Sequence, residues 1–161
     1  MRVLFVCTGN ICRSPMAEAL ARKLLLERGR ADIVVASAGT SAGEGSPASE
    51  GAYLVGLEKG LDLADHAASF LTREIVKRAD LILAMSQHHL DRAILLGGAD
   101  KSYLLGSFAG RGLDDAEVED PFGGTLEDYR ATYAQLEGLM GDAIERILRE
   151  ERAGAGGQSQ G

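Results

Sequence analysis

The sequence predicts a single α/β domain built around a parallel sheet. Four short, apolar, β-prone segments at 2–6, 33–36, 81–84 and 102–105 alternate with segments of helical character. Strands that alternate with helices favour β-α-β units, in which the strands run parallel and the crossovers are right-handed. The length of 161 residues and the apolar share of 45% suit one domain with one core.

The first strand, 2–6, is almost wholly apolar, as is typical of a strand buried on both faces. A helix is predicted to begin at Ser14 and Pro15, because serine is a good N-cap and proline is favoured at the first helical position. This helix should end near Gly29. The segment 7–13 therefore joins the carboxyl end of a strand to the amino end of a helix.

Three further helices are predicted, at 47–59, 72–78 and 86–96. A long acidic loop, 106–124, precedes the last helix, where Thr125 with Asp128 resembles a capping box. Apolar residues at three- and four-residue steps continue that helix. The Gly- and Gln-rich end, 153–161, is predicted to be a disordered tail, which leaves a domain of residues 1–152.

Composition argues against several classes of partner. With a net charge of −7, the surface repels nucleic acid and anionic membrane, so neither is expected as a partner. The apolar runs are too short for a membrane span or a signal peptide, which predicts a cytoplasmic protein. Cys7 and Cys12 are too few for a disulfide scaffold, and no Cys/His spacing suggests a metal, so no cofactor is expected.

The segment 7–15, CTGNICRSP, predicts a phosphate site. Amides at a helix start favour an anion, and Gly9 and Asn10 tolerate the positive φ that turns consecutive N–H groups inward. The same setting favours the thiolate form of Cys7, and Arg13 can hold two phosphate oxygens with its planar fork. The alternative is a structural cysteine and a surface arginine; the strand before the loop and the helix after it favour the phosphate site.

Asp120 is the candidate proton donor. A leaving alkoxide or phenoxide needs such a donor, and nearby carboxylates favour the protonated form of an acid. On the residues alone, a solvated loop carboxylate remains the alternative.

The segment 3–20, VLFVCTGNICRSPMAEAL, closely resembles the phosphate loop and first helix of the low-molecular-weight protein tyrosine phosphatases. The resemblance extends over roughly residues 2–150. It includes matches farther along the chain at Ser37 to Thr40, His66, Met85 and Asp120-Pro121. It implies a four-stranded parallel sheet flanked by helices on both faces, and hydrolysis of protein phosphotyrosine through a phosphocysteine.

The resemblance also implies residue roles. Cys7 matches the nucleophile, Arg13 the clamp on the equatorial oxygens, and Ser14 the hydroxyl that stabilises the thiolate. Asp120 matches the general acid for the leaving oxygen and, later, the base for water. Cys12 matches a second cysteine that can form a reversible disulfide with the nucleophile, although a plain structural cysteine is equally compatible.

The implied phosphate loop comprises Thr8, Gly9, Asn10, Ile11, Cys12, Arg13 and Ser14. The resemblance implies that Asn10, Ser37 and His66 form a network that supports this loop. His88 and His89, on a predicted helix, are expected to be surface residues.

Two signals disagree on the substrate. Many family members carry two tyrosines after Asp-Pro, whereas this chain has Phe122 and Gly123, like the bacterial protein-arginine phosphatases. That branch tends to have threonine where this chain has Ile11, whose bulk makes an apolar wall suited to an aromatic ring. Since Ile11 lies within the phosphate loop, we expect Ile11 and Phe122 to line a slot for phosphotyrosine, with phosphoarginine as the alternative.

Two other functions are less favoured. An arsenate reductase of similar fold relays oxidation to further cysteines, and none follows Cys12. A non-catalytic phosphate-binding or redox-sensing module would be favoured by loss of Arg13 or Asp120, and both are present. The expected partners are a phosphorylated protein or peptide substrate, with inorganic phosphate or vanadate as inhibitors, for an enzyme that is a monomer or weak dimer.

Overall fold

The computed structural model describes the backbone of residues 1–160 and the side chains of residues 1–154. Its strands are β1 (Arg2–Cys7), β2 (Val34–Gly39), β3 (Leu81–Ala84) and β4 (Ser102–Leu104). Its α-helices are α1 (Arg13–Glu27), α2 (Glu50–Glu58), α3 (Arg73–Arg78), α4 (Gln87–Ala93), α5 (Leu105–Phe108) and α6 (Leu126–Gln160). A π-helical turn, Ile94–Gly98, follows α4, and a 3-10 turn, Leu113–Asp115, follows α5.

The four strands form one parallel sheet in the order β2-β1-β3-β4, which confirms the predicted fold class. The register pairs Cys7 of β1 with Gly39 of β2, and Val6 of β1 with Ala84 of β3. In a parallel sheet all carboxyl ends lie at one edge, where ligand sites form. The segments after Cys7, Gly39 and Ala84 therefore meet at that edge.

Helices cover both faces of the sheet. Side chains of β1 alternate between two apolar clusters: Val3 and Phe5 belong to one, and Leu4 and Val6 to the other. The first cluster is completed mainly by α1, α2 and α6, and the second by α3, the end of α4 and the turn after it. Because β1 is buried on both sides, the loop that follows it begins from a rigid base.

Several predicted boundaries are wrong. Strand β2 extends to Gly39, beyond the predicted end at 36, and α2 begins at Glu50, three residues after the predicted start. Helix α1 begins at Arg13, with Cys12 as an N-cap that makes no side-chain bond, so Ser14 is not the cap. The predicted loop 106–124 contains most of α5, because Leu105 and Phe108 are buried in the core and hold a helical turn there.

Helix α6 begins with the predicted capping box. Thr125 N donates to Asp128 Oδ2 at 2.8 Å, and Asp128 N donates to Thr125 Oγ1 at 3.2 Å. The helix continues over 153–160, where the sequence predicts a disordered tail. Side chains from 155 onward and the whole of Gly161 lie outside the described residues, so the domain boundary at 152 stays a prediction. Over the described chain, no helix is both long and apolar enough to cross a membrane.

Candidate active site

The loop between β1 and α1 is shaped by Asn10. This buried residue has a φ of +57°, whereas Gly9 does not adopt a positive φ, so the expectation for Gly9 was wrong. Asparagine tolerates this conformation better than most residues, since its side chain can bond locally. A single left-handed residue turns the chain between the strand and the helix.

The side chain of Asn10 makes three hydrogen bonds inside the protein, two through its amide hydrogens and one through its oxygen. Its Nδ2 donates to Ser14 Oγ at 2.8 Å and to Ser37 Oγ at 2.9 Å, and its Oδ1 accepts from Ser69 N at 2.9 Å. His66 Nε2 lies 2.6 Å from the carbonyl oxygen of Asn10. The structure thus brings together the three residues of the predicted supporting network.

The carbonyl and N–H groups of the loop backbone differ in their hydrogen bonding. Carbonyl groups accept hydrogen bonds from other parts of the chain or from the following helix at Cys7, Thr8, Asn10, Ile11 and Cys12. The amide N–H groups of residues 8–14, in contrast, have no hydrogen-bond partner within the described chain. Buried or half-buried amides are normally paired, so this run of free donors suits an oxyanion.

Cys7 and Ser14 are in direct contact, with 2.9 Å between Sγ and Oγ. Both residues are buried. Because Ser14 Oγ already accepts from the Asn10 amide, its own hydrogen is left to point at the sulfur. This arrangement can stabilise a thiolate.

Arg13 is buried and held from one side. Its Nη1 donates to Ser86 Oγ and to the Val118 carbonyl oxygen, both at 3.0 Å, which uses both Nη1 hydrogens. Its Nη2 lies 3.5 Å from Asp120 Oδ2, and its buried Nε has no partner within the described chain. The Nε–Nη2 edge, the fork that binds two oxygens of a carboxylate or phosphate, therefore remains available.

These groups surround a cavity of about 220 Å³. Its lining consists of Cys7, Thr8, Gly9, Ile11, Cys12, Arg13, Asp120 and Phe122. The two predicted slot residues, Ile11 and Phe122, thus share one cavity. Phe122 is 69% exposed, whereas Ile11 is partly buried and packs against the core. Among the described residues, no three His, Cys, Asp or Glu side chains group as a metal site would.

Cys12 is a free, buried thiol, as is Cys7. Its Sγ lies 3.3 Å from Ser49 Oγ and 3.4 Å from the Tyr129 hydroxyl. Burial raises the pKa of Cys12, and the nearby Cys7 and Asp120 add to this rise. The contact of Tyr129 was not predicted from the sequence, where this residue belongs only to the apolar face of the last helix, because a contact between α6 and this loop leaves no local pattern.

His89 is not a surface residue, contrary to the prediction. Its ring is fully buried, and Nε2 lies 2.7 Å from Thr8 Oγ1 in the loop. Burial, together with the charge of Arg13, lowers the pKa of His89 to about 3. The signal that could have identified it is its place three residues after Ser86, the N-cap of a helix that starts at the carboxyl edge of the sheet. His88 is exposed, as predicted.

Glu18 is a second residue that the sequence did not reveal. Its Oε1 accepts from Ser37 Oγ at 2.6 Å, and its Oε2 pairs with Arg22. The supporting network therefore continues from Asn10 through Ser37 into α1.

Comparison with known proteins places this site in a family. The profile of the family described as low molecular weight phosphotyrosine protein phosphatase matches residues 2–153. A protein-arginine-phosphatase of Geobacillus stearothermophilus is 41% identical over 152 residues, which cover 93% of this chain and 98% of that protein.

Solved structures agree. A low molecular weight protein tyrosine phosphatase from T. tengcongensis is 44% identical with a TM-score of 0.82, over 91% of this chain and 99% of that one. The arginine phosphatase YwlE, in a mutant with a phosphorylated active-site serine in place of cysteine, is 35% identical with a TM-score of 0.84, over 94% of this chain and 99% of that one. The chain belongs to the low molecular weight phosphotyrosine protein phosphatase family, whose members are cysteine-dependent phosphatases.

Proposed function

We propose that this enzyme hydrolyses phosphotyrosine in proteins through a phosphocysteine at Cys7. The observation that carries the proposal is the side chain of Arg13, whose Nε has no partner within the described chain and which lines the same cavity as Cys7, beside the free amides of residues 8–14. Donors that are fixed in place before substrate arrives stabilise developing negative charge without reorganisation.

In the first step, the loop amides and Arg13 bind the phosphoryl oxygens. The Cys7 thiolate attacks phosphorus, the S–P bond forms and the bond to the leaving oxygen breaks. Asp120, at the mouth of the cavity beside Arg13, donates a proton to that oxygen.

In the second step, the Asp120 carboxylate takes a proton from a water molecule that attacks phosphorus. The S–P bond breaks, inorganic phosphate forms and the electron pair returns to sulfur. The Ser14 hydroxyl, 2.9 Å from Cys7 Sγ, then stabilises the released thiolate. The phosphorylated serine of the solved arginine phosphatase supports phosphoryl transfer to the matching position here.

Phosphotyrosine is favoured because Ile11 gives the cavity an apolar wall and Phe122 adds an aromatic ring at its rim. Phosphoarginine is the second candidate, since a relative 41% identical to this chain is a protein-arginine-phosphatase. We further propose that the enzyme acts in the cytoplasm as a monomer or weak dimer, without a cofactor, and that vanadate or inorganic phosphate inhibits it competitively.

The test compares two peptides of one sequence, phosphorylated on tyrosine or on arginine, by kcat/KM. We expect wild type to prefer phosphotyrosine and Ile11→Thr to shift the ratio toward phosphoarginine, because threonine replaces part of the apolar wall with a hydroxyl. Ile11→Val keeps the wall apolar and is the matched control. A wild-type preference for phosphoarginine would instead establish the second candidate.

Cys7→Ser separates the reaction chemistry from substrate choice. It should abolish turnover of both peptides and of p-nitrophenyl phosphate without added metal, because an alkoxide is a far poorer leaving group than a thiolate, so that any phosphoserine formed is not hydrolysed. Steady turnover by this variant would show that Cys7 is not the nucleophile.

A further inference from the structure

The amino end of α4 contacts the phosphate loop from the side of β3. Ser86 N donates to His89 Nδ1 at 3.0 Å, so Nδ1 is the acceptor nitrogen of the ring. In a neutral imidazole the hydrogen then resides on Nε2. Since Nε2 lies 2.7 Å from Thr8 Oγ1, His89 donates to Thr8, and both bonds require the same tautomer.

The neutral form is maintained by the surroundings of the ring. His89 has no exposed surface, and burial is the main cause that lowers its pKa to about 3, with Arg13 and His88 adding to the effect. A protonated ring would also direct an Nδ1 hydrogen at the Ser86 N–H group. The bond to Thr8 is therefore maintained throughout the neutral and mildly acidic range.

Ser86 links the same histidine to the other end of the loop. Its backbone N–H bonds His89, while its hydroxyl accepts from Arg13 Nη1 at 3.0 Å. The contacts form a continuous path from Thr8 through His89 and Ser86 to Arg13. Thr8 directly follows Cys7, the residue that carries the sulfur, and Arg13 carries the guanidinium fork.

We propose that His89 is a positioning residue that holds Thr8 and, through Ser86, Arg13 in the geometry that receives the phosphoryl group. The Asn10 network anchors the middle of the loop from the side of β2, through Ser37 and Ser69. His89 anchors both ends of the loop from the side of β3. The inference rests on the proposed phosphatase function, because it assigns His89 a part in the same site.

The test uses two substitutions, each of which can reproduce one of the two hydrogen bonds that the imidazole makes. Asparagine can place its side-chain oxygen near the position of Nδ1 and keep the Ser86 contact, but it is too short to reach Thr8. Glutamine extends an amide N–H toward the position of Nε2. We expect His89→Asn to lower kcat/KM for p-nitrophenyl phosphate and to weaken vanadate inhibition, each by about tenfold, the effect of one lost hydrogen bond, and His89→Gln to recover part of both losses.

His88→Asn is the matched control, since His88 is exposed and reaches Thr8 only at 3.5 Å. Thr8→Val removes the acceptor of the His89 bond. If the bond carries the effect, His89→Asn changes vanadate inhibition little in a Thr8→Val background. Fully additive losses, or wild-type kinetics and inhibition in His89→Asn, would overturn the proposal.

Two direct measurements keep this inference separate from the proposed function. Nitrogen NMR of the His89 ring should show a hydrogen on Nε2 and a bare Nδ1 between pH 5 and 8; a ring that titrates near 6.5, the ordinary value for histidine, would contradict the inference. Calorimetric binding of inorganic phosphate reports on the loop without turnover. An inactive wild-type enzyme would refute the proposed function, whereas equal phosphate affinities in wild type and His89→Asn would refute the role of His89.

Discussion

Asp120 lies at the mouth of the cavity, with 51% of its side chain exposed and Oδ2 3.5 Å from Arg13 Nη2. An acid in this position can exchange protons with solvent between the two steps while staying beside the reacting phosphoryl group. A half-exposed ion pair contributes little to stability, so its loss should affect catalysis more than folding.

We expect Asp120→Asn to slow hydrolysis by on the order of 10²–10⁴-fold for substrates with poor leaving groups, because they depend most on proton donation. The loss should shrink as the leaving phenol becomes more acidic. The measurement is kcat across a series of aryl phosphates. Glu119→Gln, a change at the adjacent exposed carboxylate, is the control, and a similar loss in both variants would assign the effect to loop charge.

At the scale of elements, α1 differs from α2 and α3 because no side chain caps the backbone N–H groups at its amino end. The side chains of Ser49 and Thr72 accept from backbone N–H groups at the starts of α2 and α3. Cys12, at the start of α1, makes no such bond, and Ser14 faces Cys7 instead. The free amino end of α1 therefore has the character of an anion site.

The end of β2 must come very close to the loop. A Cβ atom on Gly39 would lie 2.5 Å from the Thr8 carbonyl oxygen and 2.8 Å from the Asn10 nitrogen, closer than real contacts allow. Both neighbours are backbone atoms, so neither can move without reshaping the loop. Glycine at this position is a requirement of the packing between two elements.

Gly39→Ala should destabilise the fold by about 1–3 kcal/mol through overpacking and should also lower kcat/KM, because the strain falls on the loop. Gly141→Ala in α6 is the matched control: a Cβ there meets nothing within 4 Å, and alanine should stabilise the helix by up to about 1 kcal/mol. Urea denaturation and p-nitrophenyl phosphate kinetics measure both effects. Unaltered stability and activity in Gly39→Ala would show that β2 can withdraw from the loop.

For the whole molecule, the buried neutral His89 links stability to pH. Its folded-state pKa of about 3 lies below the ordinary value of 6.5, so the unfolded chain binds more protons between these limits. This contribution to stability is fully present above pH 6.5 and is lost as the pH falls toward 3.

We therefore expect the free energy of unfolding to fall below pH 6.5 by up to about 1.4 kcal/mol per pH unit from this one ring. Urea denaturation of wild type and His89→Asn between pH 5 and 7.5 isolates the contribution, since other titrating groups are common to both proteins. The variant should show a shallower dependence on pH. Parallel curves would mean that His89 is protonated as readily in the folded state as in the unfolded chain.

The sequence by itself determined the fold class, the four strands and the segment 7–13 with its sulfur, amides and guanidinium. These features are local: alternation of short apolar strands with helices specifies a parallel sheet, and contiguous residues carry the chemistry of the loop. The residues alone left the role of Asp120 open, and the resemblance favoured the proton donor; Asp120 lines the cavity with Cys7 and Arg13.

The resemblance also implied that Ser37 and His66 support that loop, and only the tertiary structure added His89 and Tyr129 as distant side chains that contact it. His89 reaches Thr8 across 81 positions and Tyr129 reaches Cys12 across 117, and neither spacing leaves a periodic or motif signal. The same holds for the boundary of α1, where Ser14 has the chemistry of a cap but bonds Cys7 instead. Local propensity predicts where an element can begin, whereas the choice among partners for a polar group depends on which elements pack at the carboxyl edge of the sheet.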